Sequence, residues 1–108
     1  MKIRIFDSAK FDLLDGFEFY ERQQEGVGRY FLDSLYADID SLALYAGIHP
    51  QKFADFHRLL ARSFPYAIYY TVDDEFVSVY AVMDCRQDPI NIKARLENER
   101  IRRWSDWL

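Results

Sequence analysis

The sequence predicts a small α+β domain of order β-α-α-β-β-β, with a helical hairpin over one face of a sheet and a further helix at the C-terminal end. Three observations carry this. Two apolar stripes of helical period flank a glycine-rich turn in the first half of the chain, two Tyr- and Val-rich strands flank Asp73-Asp74 in the second, and Asp88-Pro89 has the form of a helix start. The chain has 108 residues, half of them hydrophobic, which is enough for one core without metals or disulfides. Residues 1–108 therefore read as one domain, with a core over 2–90 and a helical extension over 91–108.

Lys2 to Phe6 alternates basic and apolar residues, a short-strand signal, and Asp7-Ser8 supplies an N-cap for the helix that follows. From Ala9 to Glu25, Ala9, Leu13, Leu14, Phe17 and Tyr20 share one helical face. Phe11 and Phe19 fall off that face beside Asp15 and Arg22, where they either pack against a neighbouring element or form a partner-binding patch. Gly26-Val27-Gly28 interrupts the pattern. A second helix from about residue 28 to 46 then sets Val27, Phe31, Leu35, Ile39, Leu42 and Ala46 on a stripe, with Asp38 at its edge as a boundary carboxylate that needs a cation or water.

Gly47 and Pro50 end the helix. Strands are expected over 56–61, 65–72 and 76–83, the last two joined by the Asp73-Asp74 turn. Neither of these two alternates cleanly between apolar and polar, so both read as central strands covered on both faces. The hairpin covers one face, and the other is left open or covered by a partner. Ile92, Leu96, Ile101, Trp104, Trp107 and Leu108 can line the final helix, capped by Asp88 with Pro89 in its first turn.

Composition narrows the function. Nine Phe, eight Tyr and two Trp are more than a core of this size easily hides, so some rings lie at a surface that something else covers. The single cysteine, Cys85, cannot form an internal disulfide, and the N-terminal segment shows no apolar signal or membrane span, which sets the expectation of a cytoplasmic protein with no membrane partner. A net charge of −4 argues against coating nucleic acid with the whole surface. The balance is uneven: residues 1–47 carry five Lys/Arg against nine Asp/Glu, whereas residues 91–108 carry five against three. A solvated helix face is the ordinary reason for such a C-terminal excess.

Several strong motifs are absent: there is no phosphate-cradling glycine loop, CxxC, HExxH or GxSxG. His49 and His57 fall on different elements and make a poor metal pair, so no metal and no cofactor is expected. Cys85 reads as a small buried thiol rather than a nucleophile. What remains is a group of arginines and tyrosines around the sheet, including Arg58, Arg62, Tyr69, Tyr70, Tyr80 and Arg86. Such groups can hold phosphates, stack on bases or stabilise a pentacovalent transition state without a metal; equally, they can pack and pair with Asp73, Asp84 or Asp88.

The run Arg58-x3-Arg62-x-Phe64-Pro65-Tyr66-Ala67-Ile68-Tyr69-Tyr70, the Val-rich strand after it and Arg86-x-Asp88-Pro89 resemble the RelE/ParE superfamily of toxins from type II toxin–antitoxin modules, also labelled plasmid stabilisation proteins. Phe19-Tyr20-Glu21 and Gly26-Val27-Gly28-Arg29-Tyr30-Phe31 extend the likeness upstream, so that it spans about residues 2–90. The resemblance implies a helical hairpin on a twisted antiparallel sheet and a cytoplasmic toxin that a cognate antitoxin wraps. RelE-type relatives cleave messenger RNA on the ribosome, and ParE-type relatives inhibit DNA gyrase.

On the ribonuclease alternative the catalytic residues are Arg58, Arg62 and Arg86, and on either alternative the expected partner-binding residues are Phe11, Phe19, Arg22, Tyr70 and Tyr80. Two departures favour the binding branch. Asp84-Cys85 stands where many relatives carry His, and no tyrosine follows Tyr80 to match the ribonuclease branch's C-terminal one; the acidic balance points the same way. The expectation is a ParE-like toxin with gyrase as target by family analogy. A ribosome-dependent endoribonuclease and a degenerate, non-toxic binding module are the alternatives. The extension over 91–108 either occupies the open sheet face or makes a homodimer contact.

Overall fold

A computed structural model describes residues 1–105. Its elements are β1 (Lys2–Ile5), α1 (Asp7–Gln23), α2 (Val27–Asp40), a one-turn α3 (Leu42–Tyr45), β2 (Gln51–Phe53), β3 (Phe56–Leu60), β4 (Tyr66–Val72), β5 (Phe76–Asp84) and α4 (Pro89–Ser105). The five strands form one sheet in the order β1-β5-β4-β3-β2. Neighbours are antiparallel from β2 to β5, and β1 joins β5 in parallel at the edge. This is the expected α+β architecture, with the hairpin on one face and α4 on the other.

The glycine turn is set by geometry. Gly26 has φ +90°, a left-handed conformation that L side chains rarely adopt. The Glu21 carboxylate accepts hydrogen bonds from the Gly26 and Gly28 amides at 3.1 and 2.9 Å, tying the end of α1 to the start of α2. Inside the hairpin the helices approach where Gly16 faces the Phe31 ring; a Cβ there would lie 2.4 Å from Phe31 Cζ. Phe31, Leu35, Ile39 and Leu42 are fully buried, as the stripe requires, and they meet Ile68, Tyr70, Val77 and Val79 of the sheet.

The opposite face holds a second apolar cluster in which Leu96 of α4 packs with Phe56, Ala67, Tyr69, Tyr80 and Ala81. The expectation that the extension occupies the open sheet face is met in this way. Asp88 Oδ1 accepts from the Ile90 amide at 2.9 Å and caps α4, with Pro89 as its first residue. The expectation for Trp104, Trp107 and Leu108 lies outside the residues whose side chains are described.

Three local expectations are corrected, and one strand is added. The first helix starts from Phe6 without a side-chain cap, because Phe6 still donates to Val79 O at 3.0 Å as an extension of the β1–β5 ladder, while Ser8 Oγ donates to Tyr80 O. Leu14 is exposed. The second helix breaks at Ser41, whose hydroxyl donates back to Asp38 O at 2.6 Å. Gln51–Phe53, to which the sequence pattern assigned no element, pairs with β3 as a short edge strand through a turn that places Ala54 at φ +49°.

A β-bulge explains why β5 did not alternate in the sequence. Tyr69 pairs with Ala81 and Tyr70 with Val79, so Tyr80 is the extra residue. Val77 and Val79 point into the hairpin core before the bulge and Val82 after it, whereas Tyr80, Ala81 and Met83 belong to the α4 side. No helix among the described residues is long and apolar enough to cross a membrane.

Candidate functional site

The three arginines named from the sequence do not converge. Arg62 belongs to the hairpin side. Its Nε donates to Asp38 Oδ1 at 2.8 Å and its backbone amide to Asp38 Oδ2 at 3.1 Å, so the nearly buried Asp38 has the cation that its position demanded. Arg86 sits past the end of β5 and is held by Asp84, with Nε and Nη2 donating at 3.0 and 2.7 Å. That contact pushes the Arg86 pKa up and draws the Asp84 carboxyl below its usual range.

Arg58 is different. It projects from β3 into a cleft of about 410 Å³ beneath the first turns of α4, lined also by Lys52, Tyr69, Cys85, Lys93 and Leu96. Arg58, Lys52 and Lys93 make the cleft cationic, and no carboxylate among the described residues lines it. The Arg58 Nε is buried without a hydrogen-bond partner. The guanidinium does engage the Tyr69 hydroxyl; burial raises the Tyr69 pKa and Arg58 opposes that rise. Cys85 is exposed as a residue, yet desolvation pushes its thiol pKa up against the pull of Arg58, so it stays protonated and is a poor nucleophile.

Chemically, such a cleft can hold an anionic oxygen: a phosphate, a carboxylate or the backbone of a nucleic acid. It offers no evident proton acceptor, since Tyr69 has a raised pKa and neither histidine lines it. No group of three or more His, Cys, Asp or Glu side chains among the described residues is placed to hold a metal ion.

The expected partner-binding residues divide. On α1, Phe11 is 65% and Phe19 46% exposed, and Arg22 is exposed with only a loose 3.7 Å contact to Glu18. Tyr70 is fully buried: its hydroxyl accepts from the Gly47 amide at 3.1 Å and pairs with His49 Nδ1, and its ring stacks on His57. Tyr80 is buried between Phe6 and Phe56, with the Arg103 guanidinium near its ring and hydroxyl. These two tyrosines present almost no surface to a partner in this structure, and the two phenylalanines do.

Sequence reasoning missed Lys52 and Lys93 as site residues, because the cleft joins β2, β3, β4 and α4, whose order along the chain does not announce that they meet. It also missed the network that seats α4. Arg95 donates to both oxygens of Asp12 at 2.8 Å and to Glu99 Oε1 at 3.0 Å, and Asp12 Oδ2 accepts from the Val82 amide at 2.9 Å. Arg95 and Glu99 stand at the i,i+4 spacing of a helical ion pair, which was the one visible signal.

The sequence matches no protein-family model and no curated protein. In fold, the chain is similar to a solved chain described as "Chromosomal ParDE TA system from P. aeruginosa", with a TM-score of 0.72 and 12% identity over 78% of this chain and 95% of that one. At that identity the likeness is one of fold, carried by a largely different sequence.

Proposed function

We propose that this chain is the toxin of a type II toxin–antitoxin module, of the ParE-like kind, which acts by binding a protein target and is neutralised by a cognate antitoxin. The fold shared along nearly the whole length of a chain from a ParDE system is the observation that carries this reading. The state of the arginines supports a binding mode of action. Two of the three family-like arginines are engaged by carboxylates of the chain itself, and Cys85 is not activated. By analogy with the ParE branch, DNA gyrase is the target, and the protein works in the cytoplasm.

Induced expression in a bacterium tests it. The expected outcome is growth arrest with loss of gyrase supercoiling activity, reversed by co-expression of a short open reading frame adjacent to the gene. Normal growth with unaltered supercoiling refutes it.

One observation favours a second reading. The carboxylate-free cleft around Arg58, with its unpartnered Nε, suits an RNA phosphate and hence a metal-free, ribosome-dependent endoribonuclease. On that reading Arg58 is the residue that contacts the scissile phosphate. Message cleavage on translating ribosomes, abolished by Arg58→Ala, is the expected result; intact messages in growth-arrested cells exclude it.

A further inference from the structure

Along the outer side of α1 runs a furrow bounded by α4 and the end of β5. It consists of two depressions of about 320 and 370 Å³ that share Asp12 and Arg95. Phe19 lines one and Phe11 the other. The two rings stand eight residues apart on one helix, which places them about 12 Å from each other along its axis. Both are large apolar side chains left substantially in water, an unfavourable arrangement in an isolated molecule.

The charges beside these rings are mostly negative. Asp7, Asp12, Asp15, Asp84 and Glu99 supply carboxylates to the furrow, while Arg95 and Arg102 supply its guanidinium groups. Arg95 is spent on Asp12 and Glu99, and Asp84 is spent on Arg86 outside the furrow. The side chains of Asp7 and Asp15 have no hydrogen-bond or ion-pair partner among the described residues. Two apolar anchors thus lie in a field of net negative charge, on the far side of α4 from the cationic cleft at Arg58.

We infer that this furrow is a docking site for a cationic, apolar-anchored polypeptide segment: one that seats two large apolar side chains at Phe11 and Phe19 and sets Lys or Arg against Asp7 and Asp15. Charge complementarity selects this occupant. Negative potential repels nucleic acid and acidic membrane surfaces, and steers basic segments toward the site. A helical segment meets both rings with anchors seven or eight residues apart, and an extended one with anchors about four apart. The identity of the partner as the antitoxin rests on the toxin reading above; the chemistry of the segment does not.

The test uses the full chain and two synthetic 16-residue amphipathic peptides, one of Lys, Leu and Phe and the other with Glu at every Lys. Binding is followed by fluorescence anisotropy and mapped by backbone amide shifts. The Lys peptide is expected to bind, to shift amides of α1 and α4 around the furrow, and to weaken as salt screens the charges. Phe11→Ser and Phe19→Ser should each weaken it about tenfold, the cost of losing one buried aromatic anchor. Asp15→Lys should weaken it as well, whereas Leu44→Ser, which alters an exposed apolar residue of α3, should leave it unchanged. All four positions are exposed, so the fold survives the substitutions.

Equal binding of the Glu peptide, shifts located elsewhere, or indifference to both Phe substitutions would overturn the inference. So would a dimer in solution that Phe11→Ser dissolves, which would assign the furrow to a second copy. A harmless chain that still binds the Lys peptide here refutes the toxin reading alone, and a toxic chain that does not bind it refutes this inference alone.

Discussion

Arg95→Met removes the guanidinium that seats α4 and keeps most of the side-chain volume. In the native protein Arg95 makes a bidentate contact with Asp12 at 2.8 Å and a third bond to Glu99 at 3.0 Å, and burial, which alone would lower its pKa, is outweighed by these partners so that the pKa is raised. The Glu99 side chain is 3% exposed, so the variant strands a carboxylate almost out of water. Breaking a buried pair by removing one partner costs about 3–5 kcal/mol. Here Asp12 keeps its bond from the Val82 amide, and the largely exposed Arg102, 3.8 Å from Glu99, can turn in, so about 2–3 kcal/mol is expected.

For a domain of this size that corresponds to a melting temperature lower by about 10–15 °C. Urea unfolding at pH 7 measures it, and hydrogen exchange locates it: protection should fall first in α4, with alkylation of Cys85 speeding up as the cleft loses its cover. Adding Asp12→Asn and Glu99→Gln to Arg95→Met removes the stranded charges and should recover at least half of the loss. A penalty below about 0.5 kcal/mol, or a triple variant no better than the single one, would refute the view that this network holds the helix.

Gly16→Ala should destabilise by about 1–2 kcal/mol in urea unfolding. The new Cβ meets the rim of Phe31, which is pinned by Tyr20, Phe64 and Tyr66, and that overpacking outweighs the gain in helix propensity; a stabilised variant would contradict it. His49 has its pKa lowered, by burial first and by His57 second. A depressed folded pKa gives stability that is complete above about pH 6.5 and declines as pH falls toward the folded value, so the urea midpoint should drop over that interval and His49→Gln should flatten the profile. Arg62→Ala, leaving Asp38 buried with only the Arg62 amide, should lower stability by about 1–2 kcal/mol without changing phosphate-induced shifts in the cleft; Arg58→Ala should do the reverse, with lost anion shifts by NMR and near-native stability.

The order of elements was legible because helical and strand periods were strong where burial is one-sided, as in the stripe from Phe31 to Leu42. It failed where a local polar contact or a tertiary neighbour outvoted the pattern. Ser41 breaks α2 by bonding its own helix, Phe6 is drawn into the β1–β5 ladder and so displaces the expected cap, and Gln51–Phe53 is a strand only because β3 offers it an edge. For the site, single residues were visible and their grouping was not. Arg58, Arg62 and Arg86 lie within one stretch of sequence, yet the chain leaves β3 after Leu60 and β5 after Asp84, and these exits send them to three different surroundings. Asp38 was correctly read as a carboxylate in need of a cation, but nothing in the sequence named Arg62 as that cation.

The placement of α4 joins these observations into one physical picture. The helix brings Lys93 and its own N-terminal turns to the Arg58 cleft on one side and lays Arg95, Glu99 and Arg102 along α1 on the other. The two flanks of α4 therefore differ in sign: among the described residues the cleft has cations and no carboxylate, while the furrow has carboxylates whose nearest guanidinium is already shared. Net charge alone reports neither, because −4 sums over the whole chain while these two fields are local and opposite in sign. The Arg95 contacts to Asp12 and Glu99 tie α4 to α1, so the wall of the furrow and the cover of the cleft are held by one ion-pair network.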